Sequence, residues 1–165
     1  MYKKSFFIVF EGIEGSGKSY QAKILYKKLR KFIKNVIITR EPGGTKSAEI
    51  IRKIILKDYF EKNKKIKFDK YTDTLLYLAA RNEHLKNKII PALKNKKIII
   101  CDRFIDSTLA YQVYGKRVSL NFIKNIHKKI LGKIKPNITF VLKVKKQSFL
   151  SRLKKRRSRN RYDNF

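Results

Sequence analysis

The chain has one cysteine, one methionine, no tryptophan, seven glycines, three prolines and 12 acidic residues in a length of 165. A single cysteine excludes an intramolecular disulfide framework and leaves no cysteine cluster for zinc, which fits a reducing, cytoplasmic setting. Cys101 closes an apolar run and reads as a small core residue. No stretch approaches the ~20 apolar residues of a membrane span. Glu11 also cuts the N-terminal apolar run far short of a signal-peptide core, so no association with a membrane is expected. The shortage of acid matters most for charge. Against 12 Asp+Glu stand 43 Lys+Arg, a formal net charge of +31, which taken alone points to nucleic acid or an anionic surface. The lysines are spread over nearly every polar face rather than gathered in a stripe, so nucleic acid is expected only as a non-specific partner at low salt.

What is present is enough for one domain. A 42% apolar fraction in 165 residues can bury a real core, and there is neither an internal repeat nor a low-complexity linker. Short β-rich runs at Ser5–Phe10, Val36–Thr39, Lys97–Cys101 and Asn137–Val144 alternate with amphipathic segments. That alternation is the βαβ signature of a parallel sheet. Helices are predicted at Lys18–Ile33, Thr45–Leu56, Asp69–Asn87 with a continuation toward Lys94, Ser107–Tyr114, Ser119–Leu131 and Lys146–Lys155. Ser47 and Glu49 would start the second, and Gly132 stands where a C-cap glycine belongs. The charged stretch Lys57–Lys67 reads as an exposed connection.

After the first strand comes Gly12-Ile13-Glu14-Gly15-Ser16-Gly17-Lys18-Ser19, which fits G-x-x-x-x-G-K-[ST]. A strand feeding a glycine-rich turn and then a helix aims backbone N–H groups and a helix N-terminus at polyphosphate oxygens. The glycines at 12, 15 and 17 permit close approach, Lys18 would reach the β- and γ-phosphates of ATP, and Ser19 would sit on Mg²⁺. Arg40-Glu41-Pro42-Gly43-Gly44 follows the second strand, at the edge where parallel sheets bind ligands. Arg40 there can clamp a phosphate, or flank a turn in a solvated ion pair. Asp102-Arg103-Phe104 follows the third strand: Asp102 can hold Mg²⁺ and Arg103 can point at phosphate, or the two can pair at the strand end. Tyr77 and Arg81, four apart, share one helix face and make either a base reader or core packing. Ser107, Thr108, Tyr111 and Gln112 can present polar groups to the same crevice, with an N-cap as the plainer role for Ser107. His84 and His127 lie on predicted helices with no carboxylate or cysteine at a telling spacing and read as surface or packing residues.

Taken together, Phe-Glu-Gly-Ile-Glu-Gly-Ser-Gly-Lys-Ser (10–19), Thr-Arg-Glu-Pro-Gly-Gly-Thr (39–45), Tyr-Leu-Ala-Ala-Arg (77–81) and Asp-Arg-Phe-Ile-Asp-Ser-Thr-Leu-Ala-Tyr-Gln (102–112) occur in the order of the bacterial thymidylate kinases, which this chain resembles over residues 5–165. The resemblance implies phosphorylation of dTMP to dTDP by ATP with Mg²⁺, in a three-layer α/β/α fold of the P-loop NTPase type with strand order 2-3-1-4. It also implies a homodimer. It sets Glu14 at the 3′-hydroxyl of the deoxyribose, Arg40 and Arg103 at the acceptor phosphate, Tyr77 on the thymine face, Arg81 and Thr108 at the base edge and Tyr111 near the sugar. Gly15 occupies a position where some members carry arginine. Members lacking it supply charge from a lid, here expected at about 152–163, where Arg156, Arg157, Arg159 and Arg161 stand; Arg156 and Arg161 are the candidates for catalysis. Four visible strands fall one short of the usual five, so a C-terminally truncated single domain with an unpaired edge strand is expected. Rival readings are a P-loop kinase for another nucleoside monophosphate or nucleoside, and a polyanion-binding protein with a vestigial phosphate loop.

Overall fold

The computed structural model of the chain describes residues 4–56 and 68–145. The Lys57–Lys67 connection, the helix expected at Lys146–Lys155 and the lid arginines lie outside them. The element order is β1 (Phe6–Gly12), α1 (Lys18–Arg30), β2 (Val36–Arg40), α2 (Lys46–Leu56), α3 (Lys70–His84), α4 (Ile90–Lys94), β3 (Ile98–Asp102), α5 (Ile105–Thr108), α6 (Leu120–Leu131) and β4 (Ile138–Leu142). All four strands pair in parallel in the order β2-β3-β1-β4, as expected.

The two inner strands carry the apolar runs. Phe7 to Phe10 and Ile98 to Cys101 are buried on both faces, the pattern of a parallel sheet covered by helices. Alternate residues feed two cores. Phe7, Val9, Ile99 and Cys101 pack with Leu85, Ile89, Phe104 and Leu131, while Ile8, Phe10, Ile98 and Ile100 pack with Ala22 and Val36. Cys101 is the core residue its position implied. The outer strand β4 is more open, with Ile138, Phe140 and Val141 exposed among the described residues.

Helix boundaries depart from the sequence reading where local chemistry intervenes. The helix that starts with Lys70 does not run uniformly to Lys94: Leu85–Ile89 widen into a π-turn in which Ile90 N–H reaches back to Leu85 O. Pro91, lacking an N–H, cannot donate to a carbonyl four residues earlier, and the widened turn precedes it. The predicted Ser107–Tyr114 helix is likewise a short α5 followed by a π-segment at Leu109–Gly115. Ser119 caps α6 by accepting from Phe122 N–H, and Gly132 ends it with φ 57°. At α2 the cap is Thr45, whose hydroxyl accepts from Ala48 N–H; Ser47 instead donates to Glu83 of α3.

The register aligns the strand ends that form the site. Phe10 pairs with Asp102, and Arg40 also pairs with Asp102. The loops leaving β1, β2 and β3 therefore open onto one crevice at the carboxyl edge. The core beneath it should dominate stability. Ile99→Ala, at a site with 0% exposure, is expected to cost about 2–5 kcal/mol in urea denaturation, whereas Phe32→Ala, 86% exposed, should stay within about 0.5 kcal/mol.

Candidate active site

A cavity of about 910 Å³ opens over the aligned strand ends. Its walls include residues 14–19 of the phosphate loop, Arg40 from the end of β2, Tyr77 and Arg81 from α3, and Asp102, Arg103, Ser107, Thr108, Tyr111 and Gln112 from the segment after β3. Gly12 and Ile13 do not line it. Gly12 has φ 140°, and a Cβ there would lie 2.6 Å from Leu142 O, so β4 itself requires glycine. Ile13 contributes its carbonyl, which accepts from Lys18 Nζ at 2.7 Å.

Lys18 is buried, and burial followed by the nearby Arg103 charge lowers its pKa to about 8. Ser19 Oγ donates to Asp102 Oδ2, joining the first turn of α1 to the end of β3. The other oxygen of that carboxylate, Oδ1, is buried with no hydrogen-bond partner among the described residues. A hydroxyl and a carboxylate with a spare buried oxygen form a hard-oxygen donor set of the kind Mg²⁺ takes.

Arg103 and Phe104 part company at the strand end. Arg103 has φ 73°, a left-handed conformation uncommon outside glycine, and it turns its guanidinium into the cavity while Phe104 enters the core, its ring edge-on to Phe7 at 5.0 Å. Arg103 Nη2 donates to Glu14 Oε2 at 2.5 Å, and Nη1 to Gly12 O and Ser107 Oγ at 3.1 Å. The Tyr111 ring lies 5.3 Å from the guanidinium. Burial works against its charge, but Tyr111 and Glu14 outweigh it and raise the pKa. The expected alternative of an Asp102–Arg103 strand-end pair is thus replaced by two separate contacts, Asp102 to Ser19 and Arg103 to Glu14.

Arg40 is half-exposed and pairs with Glu49 Oε2 at 3.1 Å. This is the solvated ion pair the sequence allowed, though with a partner nine residues away, and such a pair leaves the guanidinium free to exchange partners at a stability cost near zero to ~1 kcal/mol. Ser107 is not an N-cap. Phe104 precedes α5 as its cap residue, and the Ser107 hydroxyl donates to Glu11 Oε2 at 2.6 Å.

Both histidines are buried, as packing residues would be, but each also makes polar contacts that the sequence did not disclose. His84 has 0% exposure and donates from Nδ1 to Glu41 Oε1 at 3.1 Å, while its Nε2 meets Thr39 Oγ1 at 2.7 Å. His127 Nε2 lies 2.8 Å from Arg81 Nη1. Glu41, 4% exposed, accepts from Arg81 Nε at 2.7 Å. Burial opposes its charge, but Arg81 and His84 prevail and hold its pKa below 4.5. Their sequence separations, 43 residues for His84–Glu41 and 46 for Arg81–His127, put the pairing beyond any local spacing rule.

The family model described as Thymidylate kinase matches residues 10–165. The chain belongs to the thymidylate kinase family. It is 47% identical over 159 residues to "Thymidylate kinase" of Wolbachia pipientis subsp. Culex pipiens (strain wPip), covering 95% of this chain and 72% of that protein. It is 46% identical over 148 residues to the protein of the same name from Aster yellows witches'-broom phytoplasma (strain AYWB), covering 90% and 68%. The crystal structure of thymidylate kinase from Ehrlichia chaffeensis superposes with a TM-score of 0.76 at 39% identity, over 90% of this chain and 76% of that one. The resemblance and fold expected from the sequence are borne out for the family.

Family membership gives the four motifs their context and leaves three positions that sequence reasoning missed. Glu11 Oε1 accepts from Phe104 N–H at 2.7 Å and Ser107 N–H at 3.2 Å, fixing the segment that carries Arg103. Its signal was available: an acid ending an apolar strand is buried only if its oxygens are satisfied. Arg52, which belongs to none of the motifs, donates to Pro42 O at 2.5 Å and lines the cavity. Burial and the Arg40 charge lower its pKa. Glu41 read as part of a turn and is instead the partner of Arg81. Among the described residues no helix is long and apolar enough to cross a membrane.

Protonation links this network to stability. Burial first, and the Arg81 charge second, lower the His127 pKa from 6.5 to about 4. The unfolded chain therefore takes up a proton before the folded chain does, so stability should fall as pH drops from about 6.5 toward 4. Glu41 adds its own loss only below 4.5. Urea midpoints measured between pH 7 and pH 4.5 should fall in the wild type and much less in His127→Gln; parallel slopes would exclude His127 as the source.

Proposed function

We propose that this member of the thymidylate kinase family carries the γ-phosphoryl group of ATP to dTMP by in-line displacement, with the phosphate loop as donor site and the Tyr77–Arg81–Thr108 wall as acceptor site. The single observation that carries this reading is the shared cavity: Lys18 and Ser19 line one part of it and Tyr77, Arg81, Thr108 and Tyr111 another, with Arg103 between. A phosphoryl transfer needs positioning and charge neutralisation more than covalent chemistry. The residues supply both.

Lys18 exchanges the Ile13 carbonyl for phosphate oxygens, and the arriving negative charge restores its full protonation. Residues 14–19 hold the ATP phosphates with backbone N–H groups, with Gly12 and Ile13 shaping the loop behind them. Arg40 exchanges Glu49 for the acceptor phosphate, and Arg103 adds a second guanidinium. Glu14 orients Arg103 and accepts the sugar 3′-hydroxyl. Tyr77 stacks on the base, Arg81 and Thr108 meet its edge, Ser107 orients Arg103 and Tyr111 packs near the sugar. Ser19 and Asp102 hold Mg²⁺, which when bound neutralises charge on the phosphate oxygens. The buried Gln112 amide nitrogen, without a partner among the described residues, adds a donor at the base end of the cavity. Arg156 and Arg161, outside the described residues, are the candidates for the arginine that closes over the transferring group. The domain is read as residues 1–165 with a lid at about 152–163, acting in the cytoplasm.

Calorimetric titration with dTMP should show saturable binding much tighter than with dCMP, and a DNA oligonucleotide should bind only weakly and with steep salt dependence. Equal affinity for dTMP and dCMP would redirect the assignment to another monophosphate, and oligonucleotide binding alone would support a polyanion binder. In turnover assays Lys18→Ala should lose at least about 10²-fold, the scale of one preorganised electrostatic contact, while dTMP binding is retained; near-normal turnover would sink the mechanism.

The homodimer is proposed through α2 and α3, where Ile50 is 61% and Leu75 48% exposed. Exposed apolar residues on adjacent helices favour burial against a second copy. Light scattering should give twice the 19.6 kDa chain mass; a stable monomer at micromolar concentration would remove this element.

A further inference from the structure

Arg81 enters the cavity at the end of a buried polar chain. Its Nε donates to Glu41 Oε2 at 2.7 Å, its Nη2 to Phe104 O at 2.8 Å, and its Nη1 to His127 Nε2 at 2.8 Å. A guanidinium carries five coplanar N–H donors. Among the described residues the three contacts leave one N–H on each terminal nitrogen, on a side chain that is 5% exposed and lines the cavity. The ring of Phe104 lies 5.3 Å from the guanidinium carbon and restrains its plane from one face. Of the polar partners, Glu41 grips Nε and Phe104 offers a backbone carbonyl. His127 alone comes from α6, a helix that gives no residue to the lining of this cavity. It can therefore act on the ligand only through Arg81. Burial and the adjacent Arg81 charge keep the ring neutral at physiological pH, so an accepting Nε2 places the proton on Nδ1.

We infer that His127 is a specificity-determining positioning residue: by accepting from Arg81 Nη1 it sets the guanidinium plane so that the remaining donors face a carbonyl at position 4 of a pyrimidine and reject an amino group there. The inference rests on the proposed acceptor site and says which residue outside that site gives Arg81 its selectivity. A carbonyl accepts from two fixed donors, as thymine presents; the amino group of cytosine would bring donors against donors. A guanidinium with one edge unheld can rotate away from that conflict, and the discrimination falls.

The test compares the wild type, His127→Leu and His127→Gln by calorimetry with dTMP and dCMP, alongside thermal midpoints. His127→Leu should weaken dTMP binding on the order of 10–100-fold, the loss of one hydrogen bond to a charged group, and should change dCMP binding little, so the selectivity ratio collapses. His127→Gln, whose amide oxygen replaces the acceptor, should restore dTMP affinity to within about 3-fold, a residual of under ~1 kcal/mol. A merely structural role would lower the thermal midpoint or weaken both ligands equally; either pattern with an unchanged ratio overturns the inference. If His127→Leu does not fold, ¹⁵N imidazole spectra of the wild type at pH 7 decide: a neutral Nδ1–H ring whose Nε2 resonance moves on dTMP addition is expected, and a protonated or Nε2–H ring overturns it. A wild type without preference for dTMP would overturn the acceptor-site reading together with this inference, whereas a selective wild type and an equally selective His127→Leu would overturn this inference alone.

Discussion

The contact on which the site depends is the buried ion pair between Glu41 and Arg81, with both side chains no more than 5% exposed and 2.7 Å between Nε and Oε2. Two charges withdrawn from water are costly, and they are tolerated only when geometry and further hydrogen bonds satisfy them. Here His84 satisfies the second carboxylate oxygen and His127 a second guanidinium nitrogen. The pair thereby ties the exit of β2 to α3 and, through His127, to α6. Removal of one partner from such a pair costs on the order of 3–5 kcal/mol because an uncompensated charge stays behind. The Glu41–Arg81 pair is thus a buried, hydrogen-bonded frame beside the cavity, whereas the Arg40–Glu49 pair is open to solvent.

A second frame stands at β1. Glu11 accepts from two backbone N–H groups and one hydroxyl in the segment after β3, fixing where that segment begins relative to the phosphate loop. Both frames use a carboxylate at or just past the end of a strand as the anchor. Parallel register brings the two anchors to the same edge, which is why residues from four separate stretches of sequence converge without a dedicated binding domain.

How far the sequence could be read follows from the range of each interaction. The phosphate loop and the strands were legible because a local pattern, an apolar run followed by Gly12 to Ser19, determines backbone geometry within a few residues, whereas the strand order came from the resemblance to the thymidylate kinases. Ser19, in the first turn of α1, and Asp102, at the end of β3, were each singled out by the motif around them, and the fold brings the two side chains into hydrogen-bond contact. Breaks in helices were not legible, because the π-turn before Pro91 answers to a missing donor inside an otherwise regular pattern. Nor were His84, His127, Glu41 and Arg52. Each acquires its role from a partner brought close by the fold, and hydropathy alone assigns a histidine on a helix to packing. The four-residue spacing of Tyr77 and Arg81 allowed either a base reader or core packing, and nothing in it disclosed that three of the guanidinium donors are engaged by Glu41, Phe104 and His127.

The left-handed backbone at Arg103 has a mechanical meaning. Because that one residue reverses the direction of successive side chains, the ring of Phe104 in the core and the guanidinium of Arg103 in the cavity are two arms of a single lever pivoting at the end of β3. Packing around Phe7 and Phe104 therefore sets the angle of a charge that lines the cavity. A change of side-chain volume deep in the apolar interior would reach the part of the cavity beside Glu14 with no polar residue altered, and the hydrophobic core is in that sense part of the enzyme's electrostatics.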